Sequence, residues 1–210
     1  MQVWKRPPEP NASPLPTTVI RMDGSLLVHP AEGESRDTRL ATVAEALDFF
    51  LDEPSAAKIM ELRARLALRG VPVPAAAPSV RFARGAAIPA KVRGQLTADL
   101  RRLVLPELWF AVLGTILTGE PRLVLAAVTD TELLAAHAGV HDALAGRVRE
   151  PAAGYLPGSW LPHCVLSRPI AAHQLPAALD ALDAVEPVRA KVASIGITDS
   201  RTGTVTPLDR

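Results

Sequence analysis

The pattern of hydrophobic and polar positions predicts a strand followed by a helix over residues 46–70. The apolar run over residues 46–51 favours a strand at its end. A helix would also fit the spacing of the apolar residues Leu40, Val43, Leu47 and Leu51. Residues 52–55 combine acids with a proline, as helix starts do, and an apolar stripe then runs through Ile59, Leu62 and Leu66 to a stop at Gly70.

A second strand, over residues 77–83, follows the loop at residues 71–78. Side chains alternate along a strand, so Val80 and Phe82 are predicted to face the core while Ser79 and Arg81 face the opposite side. Asp99 is the one acid among the basic residues that follow, which are Arg84, Lys91, Arg93, Arg101 and Arg102. A charge run of this kind is typical of a solvated helix face, and contact with an anionic ligand is the alternative.

The same order of elements returns in the second half of the chain. The pattern predicts strands over residues 107–117 and 122–128 around a turn at 118–121, a helix capped at 129–132, a loop rich in Pro and Gly, and a strand from residue 160. It also predicts a final helix near 174–184 and a hairpin formed by residues 188–198 and 203–206. Because strand, helix, loop and strand occur twice, we expect a duplicated, two-lobed α+β fold. Its lobes would span about 45–106 and 107–210, with exchange of strands between them allowed.

Residues 1–44 are predicted to form an extension outside this repeated unit. Five prolines among residues 1–16 prevent a helix and indicate an arm. Asp23-Gly24 then separates two apolar runs, which is typical of a two-residue hairpin turn. This hairpin could cover a sheet edge or mediate self-association.

The composition of the chain says more about its cellular setting than about the chemistry it performs. The chain has 210 residues, of which 48% are hydrophobic, and a net charge of +1, so no overall field favours nucleic acid or an anionic membrane. With one cysteine, no leader and no apolar run long enough to span a bilayer, we expect a cytoplasmic protein without disulfides. Alanine, proline and arginine are abundant and lysine is scarce, which indicates a bacterial genome of high GC content.

The most informative segment is Trp160-Leu-Pro-His-Cys-Val-Leu-Ser167. On a strand, Cys164 and Leu166 would share an apolar face, while His163, Val165 and Ser167 would share the other. An isolated strand histidine is often structural, but its imidazole can also take and give a proton near neutral pH.

The stretch from Tyr155 to Leu166, with the order of elements around it, resembles the second motif of the two-histidine (2H) phosphoesterases, the 2′-5′ RNA ligase and cyclic phosphodiesterase superfamily. The resemblance implies antiparallel sheets lining a central cleft with helices outside. It also implies two motifs of the form His, apolar, Ser/Thr, apolar, in which the histidines act as acid and base and the hydroxyls hold phosphate oxygens. Here His163 matches a motif histidine, and Val165 stands where the hydroxyl belongs. In the first motif, Ser79 takes the histidine position and Arg81 the hydroxyl position.

These departures shape the functional expectation. One imidazole cannot serve on both sides of a phosphorus, so we expect the two-histidine hydrolysis to be lost. Arg81 offers a fork of donors suited to phosphate or carboxylate, so the cleft is expected to bind a small anionic or phosphate-bearing molecule. Three alternatives stay open: a repurposed enzyme in which His163 is a lone acid or base, residual 2′,3′-cyclic phosphodiesterase or 2′-5′ RNA ligase activity on RNA-like substrates, and a structural or assembly protein.

Other residues have two interpretations each. Tyr155 and Trp160 could line the cleft or anchor the loop on the core. Ser167 could assist the ligand or be a polar residue at the end of the strand. His137 and His141, one helical turn apart, could form a metal pair, but no further ligand completes the set, so we read them as helix-face residues and expect neither metal nor cofactor.

Overall fold

A computed structural model describes residues 44–118, 120–183 and 185–208. Within these ranges the chain is a mixed α+β protein with two four-stranded antiparallel sheets and four α-helices. The proline-rich arm and the predicted hairpin around Asp23-Gly24 lie outside the described residues.

The strands are β1 Glu45–Leu51, β2 Ser79–Gly85, β3 Leu108–Thr118, β4 Glu120–Ala127, β5 His163–Val165, β6 Val188–Ala190, β7 Val192–Asp199 and β8 Val205–Leu208. The helices are α1 Glu53–Leu68, α2 Ala90–Leu100, α3 Thr131–Leu144 and α4 Leu175–Asp180, with single 3₁₀ turns at Ala153–Tyr155 and Ala172–Gln174. The first sheet has the strand order β2-β1-β7-β8, and the second has the order β5-β4-β3-β6.

The first strand, helix and motif strand follow the predicted pattern. Helix α1 starts after Asp52 with a proline in its first turn, and Gly70 follows its end with a φ of 73°, a left-handed conformation that favours glycine. Helix α3 is capped by Asp130, whose carboxylate accepts a hydrogen bond from the backbone N–H of Leu133 at 2.8 Å. Both sheets and these helices bury a common apolar core that includes Phe49, which stacks on Phe82.

Several boundaries in the second half of the chain differ from the prediction. The strand expected from residue 160 is shorter, since β5 covers only His163–Val165. Strands β3 and β4 extend into the predicted turn at residues 118–121, since Leu117 pairs with Pro121. Helix α4 ends at Asp180, earlier than the predicted 184.

The predicted strand over residues 188–198 is divided at Lys191. Strand β6 pairs with β3 in the second sheet, while β7 pairs with β1 in the first. Asp52 holds this crossing point: its N–H donates to the Lys191 carbonyl at 2.9 Å, and its carboxylate accepts from the Lys191 N–H at 2.9 Å. The β7–β8 hairpin therefore completes the first sheet rather than the second.

No helix in the described ranges has the length and apolar character needed to cross a bilayer.

Candidate functional site

A cavity of about 840 Å³ lies where the two sheets meet. Strand β2 is an edge of the first sheet and β5 an edge of the second, and the two lie side by side. The four residues singled out from the sequence, Ser79, Arg81, His163 and Val165, all line this cavity. Its volume is in the range of sites for small organic molecules.

Arg81 forms a bidentate ion pair with Asp48 on the neighbouring strand. Its Nε and Nη2 groups donate to the two carboxylate oxygens at 2.8 and 2.9 Å. Burial disfavours the Arg81 cation, but the hydrogen bonds and charge of Asp48 outweigh this and hold the pKa of Arg81 above its ordinary value. The ion pair fixes the guanidinium in one orientation and leaves its Nη1 group outside the carboxylate fork.

His163 is held in a single tautomer. Its Nδ1 lies 2.7 Å from the Leu161 carbonyl oxygen, which can only accept, so Nδ1 carries the proton and Nε2 keeps a lone pair. Burial lowers the pKa of His163; the bond to Leu161 opposes this, and the charges of Arg81 and Arg122 reinforce it. The imidazole in the cavity is therefore a neutral hydrogen-bond acceptor at pH 7.

Four arginines and one carboxylate, that of Asp48, line the cavity. Besides Arg81 these are Arg63, Arg84 and Arg122. Arg63 is 3% exposed, and its guanidinium donates to the carbonyl of Val165 at 2.8 Å and to that of Ala76 at 2.6 Å. Unlike Arg81, the arginines at positions 63, 84 and 122 form no ion pair within the part of the chain that the structure describes. The cavity thus carries an excess of positive charge. Arg63 is buried, whereas Arg84 and Arg122 are exposed, so solvent and salt screen their charges more strongly.

The opposite wall of the cavity is apolar. Val165 on β5 pairs with Val124 on β4, which pairs with Gly114 on β3, so the three face the same side of the second sheet. Ile116 extends this surface by one row beside Arg122. The cavity therefore combines a polar wall from the first sheet with a wall from the second sheet in which this apolar surface lies beside His163 and Arg122.

A β-bulge in β2 places Arg84 on the same face as Arg81. Leu47 pairs with Ala83 and Asp48 pairs with Arg81, so Phe82 is an extra residue in the strand. Residues three apart would face opposite sides of a regular strand, and the bulge cancels that alternation.

The carbonyl of the bulged Phe82 accepts hydrogen bonds from Nε2 of His137 at 3.1 Å and of His141 at 3.3 Å. Burial and the neighbouring His141 lower the pKa of His137 to about 4, although its carbonyl hydrogen bonds oppose the shift. The two histidines therefore satisfy a strand irregularity. Among the described residues, no group of three or more His, Cys, Asp or Glu side chains could hold a metal ion.

Trp160 is a structural support behind the cavity. Its indole stacks on His137 with ring centres 3.9 Å apart, and its Nε1–H donates to the Arg81 carbonyl at 2.8 Å. Tyr155 lines the cavity itself and interacts with the Arg81 guanidinium. Of the two interpretations given above, the anchor applies to Trp160 and the lining position to Tyr155.

Ser167 lies outside the cavity. Strand β5 ends at Val165, the alternation ends with it, and Ser167 is 0% exposed. Its Oγ accepts a hydrogen bond from the Leu123 N–H at 2.9 Å, which ties the segment after β5 to β4. Cys164 faces the core as predicted, and burial raises the pKa of its thiol to about 11.

Four polar lining residues were not predicted from the sequence: Asp48, Arg63, Arg122 and Thr198. Asp48 is a single acid inside an apolar strand, and Arg63 sits beside Leu62 on the apolar stripe of α1. A charge at a position predicted to be buried is a recognisable signal in both cases. Arg122 and Thr198 occupy ordinary strand positions and give no such signal.

Compared with models of known protein families and with curated proteins, the chain matches none.

Proposed function

We propose that this protein is a divergent 2H-phosphoesterase-like protein whose cleft binds a small organic anion, with phosphate-bearing molecules as the first class to test. The observation that carries the proposal is the cavity lining, where four arginines face one carboxylate beside an apolar wall. An anionic group would contact the Nη1 of Arg81 and the guanidinium of Arg122. An apolar part of the ligand would lie on Val124 and Val165.

The family assignment within this proposal rests on the arrangement of the motif strands. Each motif strand is an edge strand, each follows a helix in the chain, and the two border the same cavity. The β7–β8 hairpin joins the first sheet, which agrees with an exchange of strands between two related lobes.

The same lining argues against hydrolysis by two histidines. That mechanism needs an acid and a base on opposite sides of the phosphorus, and among the residues lining the cavity His163 is the one imidazole. Ser79 stands in place of the second histidine, and the guanidinium of Arg81 is tied to Asp48. Val165 offers no hydrogen bond where the motif has a hydroxyl. Binding without turnover is the function that these residues support best.

The tautomer of His163 favours a second candidate function. A neutral imidazole with a free Nε2 lone pair next to two arginines can accept a proton from a bound substrate, and the arginines would stabilise the negative charge that forms. This candidate is a repurposed enzyme that uses His163 as its single general base.

Titration calorimetry with phenylphosphonate tests the binding proposal, with inorganic phosphate and the neutral benzyl alcohol as comparison ligands. We expect phenylphosphonate to bind more tightly than phosphate and benzyl alcohol not to bind. Arg122→Gln should weaken phenylphosphonate by about tenfold, because it removes a charge-assisted contact. Arg69→Gln, at an exposed position outside the cavity, is the matched control.

Two results would overturn the proposal. If Arg122→Gln and Arg69→Gln bind phenylphosphonate equally, the cavity is not the anion site. If the protein hydrolyses a 2′,3′-cyclic nucleotide and His163→Ala abolishes the reaction, the conventional chemistry has survived.

A further inference from the structure

The polar wall of the cavity continues past the Arg81–Asp48 pair to a second group of side chains. Arg84 and Thr198 both pair with Ala46 of β1, so the three residues lie in one row across the first sheet, and Arg84 and Thr198 line the cavity. Asp48, which is two residues further along β1, marks the row that contains Arg81. The two rows are about 7 Å apart, given the rise of an antiparallel strand.

Thr198 is the unusual member of this second row. It is 9% exposed, and its Oγ1 has no hydrogen-bond partner within the described part of the chain. Buried hydroxyls are nearly always satisfied, because an unsatisfied one costs free energy. Thr198 is also one of the residues that line the cavity, so a bound ligand is a candidate partner for this buried hydroxyl.

The shape of the row supports the same conclusion. Ala46 lies between Arg84 and Thr198 and has only a methyl side chain, so no long side chain of β1 separates the Arg84 guanidinium from the Thr198 hydroxyl. The bulge at Phe82 is what turns Arg84 toward this space, and the histidine pair on α3 satisfies the bulged carbonyl. A strand irregularity at such a place re-aims a side chain toward a site.

We propose that Arg84 and Thr198 form a second anion subsite, and that the ligand of this cavity is an organic dianion whose two charged groups lie about 7 Å apart. This inference rests on the proposed function, because the first charged group would occupy the subsite of Arg81 and Arg122. The second group would accept hydrogen bonds from the Arg84 guanidinium and the Thr198 hydroxyl. The link between them would cross the apolar wall formed by Val124 and Val165.

The experiment compares alkyl monophosphonates with α,ω-alkanediyl bisphosphonates of the same and increasing chain lengths, each titrated into the full chain by calorimetry. Two anchoring groups on one molecule raise affinity through effective concentration when the link matches the span of the subsites. We expect one chain length to bind on the order of 100-fold more tightly than its monophosphonate, with shorter and longer links giving less.

Thr198→Val and Arg84→Gln should each reduce that gain by about tenfold, since each removes one hydrogen-bonding partner of the second group. Thr206→Val is the matched control, because Thr206 is exposed on the same hairpin and faces away from the cavity. Thr198→Val should also raise the melting temperature of the unliganded protein, since it removes an unsatisfied buried hydroxyl without changing side-chain volume.

The outcomes separate the two proposals. If monophosphonates do not bind the parent protein, the proposed function fails. If they bind but no bisphosphonate exceeds its monophosphonate, or the gain survives in both Thr198→Val and Arg84→Gln, the second subsite is refuted while the first stands. A lower melting temperature for Thr198→Val would show that the hydroxyl has a structural role, and this too would overturn the subsite.

Discussion

The stability of this protein should fall between pH 7 and pH 4 because of His137. Burial and the neighbouring His141 lower the pKa of this imidazole from 6.5 to about 4. Below pH 6.5 the unfolded chain binds a proton at this residue, whereas the folded chain does not until the pH approaches 4. The free energy of unfolding therefore includes the full contribution of neutral His137 above pH 6.5 and loses it as the pH falls toward 4.

The size of the effect follows from the two pKa values. A tenfold change in proton affinity is worth about 1.36 kcal/mol, so the interval between 6.5 and about 4 corresponds to about 3 kcal/mol. His137 is 1% exposed, stacks on Trp160 and donates to the Phe82 carbonyl, so little solvent is available to relieve the charge.

Urea unfolding of the parent and His137→Gln at a series of pH values from about 4 to about 8 measures this contribution. The variant loses the stacking contact and should be less stable than the parent at the upper end of this range. The difference between the two free energies of unfolding should then shift by about 2–3 kcal/mol in favour of the variant as the pH falls to about 4. His173→Gln, at an exposed position, controls for the loss of an imidazole as such. A difference between parent and His137→Gln that stays constant across this range would refute the reasoning.

Two further substitutions test how the cavity is supported. Gly85→Ala should destabilise the protein by about 1–3 kcal/mol, because an added Cβ would overlap Val148 Cγ1 and lie 2.8 Å from the Arg149 carbonyl oxygen. In Gly94→Ala the added Cβ meets nothing within 4 Å, so this change should stabilise α2 by about 0.5–1 kcal/mol. Equal effects of the two changes on urea unfolding would contradict this account. Arg63→Met should lower the free energy of unfolding by about 2–4 kcal/mol, because the carbonyls of Ala76 and Val165 lose their donor. Lys58→Met, at an exposed position of the same helix, should change it by less than about 0.5 kcal/mol. A loss below about 1 kcal/mol for Arg63→Met would show that those carbonyls find other partners.

The local elements were predictable because their signals lie within a few residues. Acids, a proline and a closing glycine bracket α1, and strict alternation over residues 79–82 is enough to place Arg81 on the side of β2 opposite the core. Where the chain changes sheets was not predictable in this way. The break at Lys191 depends on hydrogen bonds exchanged with Asp52, which is far away in sequence, and no residue pattern near position 191 encodes that contact.

The site shows the same division between local and distant causes. The alternation that correctly places His163 and Val165 in the cavity fails two residues later, because β5 ends and Ser167 turns to bond the backbone of β4. Arg84 is the opposite case. Strict alternation from Arg81 predicts that Arg84 points away from the cavity, whereas the bulge of one residue turns it toward the cavity.

That bulge connects features that look unrelated in the sequence. The extra residue Phe82 frees a carbonyl, and two histidines one turn apart on α3 satisfy it. Trp160 stacks on one of those histidines and donates to the neighbouring carbonyl of Arg81. A pattern that suggests a metal pair, and an aromatic residue that suggests a ligand contact, thus both hold the backbone of β2. Their effect on the cavity is indirect but specific, since the backbone they hold presents Arg81 and Arg84 on the same face.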